Sequence, residues 1–162
     1  LADYLTINVS SPNTAGLRGL QDKRALNDLL AALAPHRSKP LLVKLSPDLD
    51  DDQLDQALQA LIDHRVDGVI ATNTSVTRLT LASARQGETG GLSGRPLTAL
   101  ARKMVGKIYT RTAGKLPIIA AGGIMSREDY DAAINAGATL VQIYTGLVYR
   151  GPRLVKEILE GE

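Results

Sequence analysis

The sequence predicts an α/β protein built on a parallel sheet, and three observations carry that expectation. Five short, mostly aliphatic runs are each followed by polar or glycine-rich residues. Helical periods of apolar residues lie between them, and capping residues stand where those helices should begin. Continuous aliphatic runs of this length suit strands buried on both faces. Strict alternation with helices implies parallel pairing through right-handed crossovers.

The first strand is expected over Tyr4 to Val9, which alternates and is rich in β-formers. The others are expected at Leu41 to Leu45, Gly68 to Thr72, Ile118 to Ala121 and Leu140 to Tyr144. Between the first two, Leu26, Leu29, Leu30 and Leu33 follow the i, i+3, i+4, i+7 spacing of one helix face. Leu54, Ala57, Leu58, Leu61 and Ile62 do the same, and Asp50 with Gln53 resembles a capping box. Pro96 suits the start of a helix running to about Thr112. Ser126 suits the N-cap of Arg127 to Ala136, which Gly137 should stop. Pro152 opens a last helix whose stripe is Leu154, Val155, Ile158 and Leu159. Asn73 to Gly94 is too long for a simple turn, and connections of that length are often functional.

Composition narrows the function classes. At 162 residues the chain reads as one domain with enough length to bury a core. A net charge of +2, with no Trp and no Phe, argues against nucleic acid. No apolar run approaches the roughly 18–20 residues of a membrane span, and the first residues do not read as a signal peptide. Without cysteine there is no thiolate nucleophile or thiolate metal site. His36 and His64 fall near helix C-termini, where the helix dipole favours a cation, and they lack metal-ligand spacing.

Each expected strand ends in residues with chemistry, as parallel α/β active sites require. The first runs into Asn8-Val9-Ser10-Ser11-Pro12-Asn13-Thr14, the second holds Lys44, and the third leads to Thr72-Asn73-Thr74. A lysine in an aliphatic strand must be paired, face a ligand or reach out to water at the strand end. Ser-Pro-Asn also suits an ordinary turn. The fourth and fifth strands lead to Gly122-Gly123 and Tyr144-Thr145-Gly146. A doubly wound sheet fits the length unaided, whereas a (β/α)8 barrel needs about 250 residues. The two glycine turns nevertheless match the phosphate site that follows the last two strands of such a barrel.

Six motifs in register carry a resemblance over essentially the whole chain. They are the Asn8–Thr14 segment, Val43-Lys44-Leu45, Ile70-Ala71-Thr72-Asn73-Thr74, Gly90-Gly91-Leu92-Ser93-Gly94-Arg95-Pro96, Ala121-Gly122-Gly123-Ile124 and Val141-Gln142-Ile143-Tyr144-Thr145-Gly146. Together they resemble the dihydroorotate dehydrogenases, flavin enzymes of pyrimidine synthesis. The resemblance implies the carboxyl-terminal five βα units of a (β/α)8 TIM barrel that binds FMN. Soluble members carry a cysteine base and quinone-linked members a serine. Ser11 at that position resembles the quinone-dependent class, and Gly90 to Pro96 supports it.

The resemblance also implies roles. Dihydroorotate is oxidised to orotate by loss of a C5 proton and a C6 hydride, the hydride passing to FMN and on to quinone. Ser11 matches the general base and Thr14 a possible proton relay. Asn8, Asn13, Asn73 and Thr74 match substrate-binding residues, where amides offer both donor and acceptor. Asn8, Lys44, Thr72, Gly94, Gly123, Tyr144 and Thr145 match cofactor contacts, with Lys44 near the N1/C2 edge of the flavin. No metal is implied. The first three βα units, and a membrane-associating segment that meets quinone, would be absent from residues 1–162. The isolated chain is therefore expected to be inactive. The whole protein would lie peripherally on the inner face of the bacterial cytoplasmic membrane, or on the mitochondrial inner membrane in a eukaryote. Two alternatives remain open. One is another FMN barrel oxidoreductase, although those resembling dihydrouridine synthase or dihydropyrimidine dehydrogenase use cysteine. The other is a non-catalytic half-barrel that binds a phosphorylated ligand.

Overall fold

The structure is a computed structural model that describes residues 2–78, 81, 83, 84 and 86–161. The expected long connection therefore includes four positions, 79, 80, 82 and 85, outside the described residues. Five strands form one sheet: β1 (Leu5–Asn8), β2 (Leu41–Leu45), β3 (Gly68–Ala71), β4 (Ile118–Ala121) and β5 (Leu140–Gln142). All are parallel and lie in sequence order, β1-β2-β3-β4-β5. A doubly wound sheet reverses its strand order at a switch point. Sequential order instead keeps every crossover on one side, as in a barrel wall.

Among the described residues there are six α-helices: α1 (Lys23–Leu33), α2 (Asp51–Asp63), α3 (Thr98–Arg111), α4 (Arg127–Asn135), α5 (Thr145–Arg150) and α6 (Arg153–Glu160). Their starts follow the expected chemistry. Asp50 accepts from the Gln53 amide at 2.8 Å, and Gln53 Oε1 accepts from the Asp50 amide at 3.1 Å, closing the capping box of α2. Ser126 caps α4 by accepting from the Asp129 amide. Pro96 falls in a 3₁₀ turn, Arg95–Leu97, that leads into α3. The sequence reading extended β5 to Tyr144; the strand stops at Gln142, and α5 follows as an additional short helix.

Residue alternation sorts the strands into two faces. Val43, Leu45, Val69, Ala71, Ile118 and Ala120 pack under the helices, against side chains such as Leu26, Leu54 and Ile108. Each of these leucines and isoleucines contributes about 1.5–3 kcal/mol by leaving water. Leu42, Ile70, Ile119 and Ala121 form a separate cluster on the opposite, inner face. Lys44 shares the parity of Leu42 and pairs in register with Asn8 and Ile70. It therefore belongs to the inner face at the carboxyl end of its strand.

Among the described residues, no strand pairs with the outer edge of β1 or of β5. Apolar surface is exposed beside these edges: Leu5 on β1, Leu140 on β5, and Tyr144, Val148 and Tyr149 at α5. The Gln142 side chain reaches the Tyr4 hydroxyl at 3.4 Å, so the two edges of the sheet approach each other across its inner face.

Candidate active site

A cavity of about 420 Å³ opens at the carboxyl end of the strands. Lys44, Thr72 and Asn73 line one side, and Gly94, Gly123 and Thr145 the other. Lys44 is the single charged side chain among the described residues that line it. Burial pulls the Lys44 ammonium below its ordinary pKa. A partly desolvated cation gains from an anionic partner, so the cavity favours a ligand carrying negative charge.

The polar side is a closed hydrogen-bond network across three strand ends. The Asn73 side-chain amide donates to Asn8 Oδ1 and to Ser10 Oγ, both at 3.0 Å. Ser10 Oγ in turn donates to the Lys44 carbonyl at 2.6 Å. Asn73 Oδ1 accepts from the Thr74 amide at 2.8 Å, which fixes the orientation of the Asn73 amide. Both Asn73 N–H groups are thus engaged, and donation from this amide to a ligand would exchange one of these bonds. The Ala71–Thr72 peptide is cis, and the Thr72 amide donates to the Ala121 carbonyl at 2.6 Å.

Ser10 was not singled out in the sequence, where it looks like one half of a serine pair in a turn. In the fold it is wholly buried and joins β1, β2 and β3 at their rim. Ser10→Ala is expected to destabilise the protein by about 1–3 kcal/mol, because it leaves a buried carbonyl and an amide short of partners. Urea unfolding measures this, and an unchanged midpoint would show that the hydroxyl holds nothing.

The other side of the cavity is backbone. Gly123 has φ +74°, and a Cβ there would lie 2.4 Å from Thr98 Cα and 2.5 Å from Thr98 N. Thr98 Oγ1 donates to the Gly123 carbonyl at 2.7 Å, so the turn after β4 rests directly on the start of α3. Thr145 Oγ1 donates to Ser93 Oγ at 3.0 Å, joining the first residue of α5 to the loop ahead of α3. Tyr144 lines the cavity with its side chain largely in solvent.

Ser11, Asn13 and Thr14 lie in the loop that follows β1, at the same end of the sheet as the cavity. Ser11 is half-buried, is not among the lining residues, and accepts from the Asn13 amide at 3.3 Å. The long connection folds back over this loop. Ser75 and Leu92 exchange backbone hydrogen bonds of 3.1 and 2.7 Å. Gly91 passes so close that a Cβ would meet Thr74 Oγ1 at 1.8 Å and Pro12 Cγ at 2.9 Å. Lys44, Asn73, Gly123 and Thr145 therefore share one cavity, with Ser11 on the same rim beside it.

A singly wound parallel sheet with a cation, amides and glycine turns on its carboxyl rim defines the ligand-binding end of an α/β-barrel protein. The sequence matches the family model for dihydroorotate dehydrogenase over residues 1–161, and the chain belongs to that family. It is 51% identical, over 99% of its length, to a dihydroorotate dehydrogenase (quinone) of Anaeromyxobacter sp. (strain Fw109-5), covering 46% of that protein. It is 49% identical, over 98% of its length, to the protein of the same name from Dichelobacter nodosus (strain VCS1703A), covering 50% of it. The crystal structure of DHODH from Eimeria tenella in complex with ferulenol is similar with a TM-score of 0.92 and 38% identity. That likeness covers 98% of this chain and 50% of the other. The chain thus spans about half the length of the curated relatives it matches. The sheet is five βα units arranged as in a (β/α)8 barrel.

Proposed function

We propose that residues 1–162 form the carboxyl-terminal five βα units of an FMN-binding barrel that oxidises dihydroorotate to orotate with quinone as final acceptor. One observation carries this reading: Lys44, the Asn8–Ser10–Asn73 network and the glycine turns meet on one rim, in a chain about half identical to relatives named for that activity. The unpaired edges of β1 and β5, with apolar surface beside them, support completion of the barrel by further strands.

The cavity fits FMN by its chemistry. Its volume lies within the range of ligand pockets, roughly 300–1,000 Å³. A Cβ at Gly123 would run into Thr98, which does not line the cavity, so the cavity side of this turn is backbone, and backbone N–H groups suit a phosphate. Gly94, Gly123, Tyr144 and Thr145 would hold the phosphate side, and Thr72, Asn8 and Lys44 the ring side. FMN held there would supply the acceptor for the hydride leaving substrate C6.

The remaining chemistry belongs to the chain's own residues. Lys44 supplies positive charge in the cavity, where partial burial strengthens its field. Asn8, Asn13, Asn73 and Thr74 orient the pyrimidine by its amide and carboxylate edges. Ser11 removes the C5 proton, and Thr14 passes it outward. Quinone partitions into lipid, so the whole protein works at a membrane surface, through a segment outside these residues. No helix among the described residues is long and apolar enough to cross a membrane.

Dihydroorotate-to-quinone turnover by the complete polypeptide containing residues 1–162 tests the activity. FMN-loaded protein that leaves dihydroorotate unchanged would overturn it. Residues 1–162 expressed alone are expected to purify without FMN, to aggregate through the open edges and to show no turnover. Co-expression with the amino-terminal units should restore FMN content, solubility and turnover. A monomer of residues 1–162 with stoichiometric FMN and full turnover would refute the half-barrel account.

A further inference from the structure

Arg18 and Asp48 lie behind the cavity and line none of it. Arg18 sits in the 3₁₀ turn Leu17–Gln21 that follows the β1 loop. Its guanidinium has three partners on three different strand-end loops: the Ser10 carbonyl at 3.2 Å, Asp48 Oδ2 at 2.9 Å and the Thr74 carbonyl at 2.9 Å. Asp48, in the loop after β2, completes the tie to the third loop. It accepts from the Ser75 hydroxyl, from the Val76 amide at 2.9 Å and from Thr77 Oγ1 at 3.2 Å. Gln21 reinforces the same unit by accepting from the Ser46 amide at 2.8 Å. The carbonyls that Arg18 grips belong to the neighbour of Ser11 and to Thr74 itself.

We propose that Arg18 and Asp48 act as one positioning unit that sets the β1 loop, carrying Ser11 and Asn13, against the β3 loop, carrying Asn73 and Thr74. A planar guanidinium suits the task, because its fixed fork holds three acceptors at set angles, which a lysine ammonium does not reproduce. Burial pushes the Asp48 carboxyl up, but the Ser75, Val76 and Arg18 hydrogen bonds and the Arg18 charge outweigh it and hold it below the usual carboxylate range. The Asp48 carboxylate therefore stays charged through neutral pH. The inference rests on the proposed function for its kinetic consequence, and on geometry alone for the coupling of the two loops.

The test uses Arg18→Lys, Asp48→Asn and the double variant of the complete polypeptide. Thr77→Ala serves as a milder probe that loosens Asp48 without changing charge. Amide hydrogen exchange should rise together in residues 9–14 and 73–78 in each variant, while the β4 segment stays protected. KM for dihydroorotate should rise about tenfold or more, the scale of a displaced substrate-holding group, with FMN content per chain unchanged. The double variant should add little to either single variant, since the two residues act as a unit. A purely structural role would lower the melting temperature and the active fraction but leave KM in place. An unchanged KM, or exchange rising in one loop only, overturns the proposal. If the unsubstituted protein does not oxidise dihydroorotate, the functional reading falls and the exchange result alone decides the coupling.

Discussion

Replacing Ser11 by alanine is expected to slow flavin reduction by dihydroorotate about 10²-fold or more, the scale of losing a general base. The flavin should remain bound, because Ser11 lies beside the cavity rather than among its lining residues. A serine hydroxyl is a weak base near neutral pH, so its use depends on its surroundings. The Asn13 amide points at Ser11 Oγ from 3.3 Å, and a donor so placed favours the deprotonated oxygen. Ser11→Cys should retain part of the activity with a lower pH optimum, since a thiol ionises near pH 8.5. Stopped-flow bleaching of the flavin across pH measures both effects. An alanine variant that bleaches at the normal rate would remove Ser11 from the chemistry.

Gly123→Ala is expected to cost about 3 kcal/mol or more and to abolish stoichiometric FMN retention. Two faults coincide at this position. The backbone holds φ +74°, which an L side chain rarely adopts. The added Cβ would also enter the space of Thr98, including its backbone at 2.4 and 2.5 Å. Removing the Thr98 hydroxyl relieves the 2.3 Å approach to Oγ1 but leaves the backbone overlap, so Gly123→Ala with Thr98→Ala should not recover. Gly106, inside α3, is the control: a Cβ there meets nothing within 4 Å. Gly106→Ala should stabilise the helix by up to about 1 kcal/mol. Denaturant midpoints and the flavin-to-protein absorbance ratio distinguish the cases. A Gly123→Ala protein with normal stability and flavin content would show that this turn does not shape the pocket.

Most of the elements were legible in the sequence. Strands β2 and β4 lie where their aliphatic runs placed them, because a strand buried on both faces reads as a nearly continuous apolar run, which in β2 only Lys44 interrupts. The capping box of α2 and the Ser126 cap of α4 were legible because a cap is a contact between residues three apart. Lys44 stood out because charge in an aliphatic run needs a reason. The six motifs in register then indicated the family. Other features waited for the tertiary structure. The sequential strand order that excludes a doubly wound sheet depends on pairings between segments tens of residues apart. The helix α5 is too short to show a period, and the following Gly151 and Pro152 blur its boundary with α6. Ser10 and Asp48 carry no local mark, since a serine beside a serine and an aspartate after a proline both suit a turn. Their roles arise only when three strand ends meet. Buried hydroxyls, carboxylates and carbonyls must then find partners across loops, and sequence periodicity holds no record of which ones.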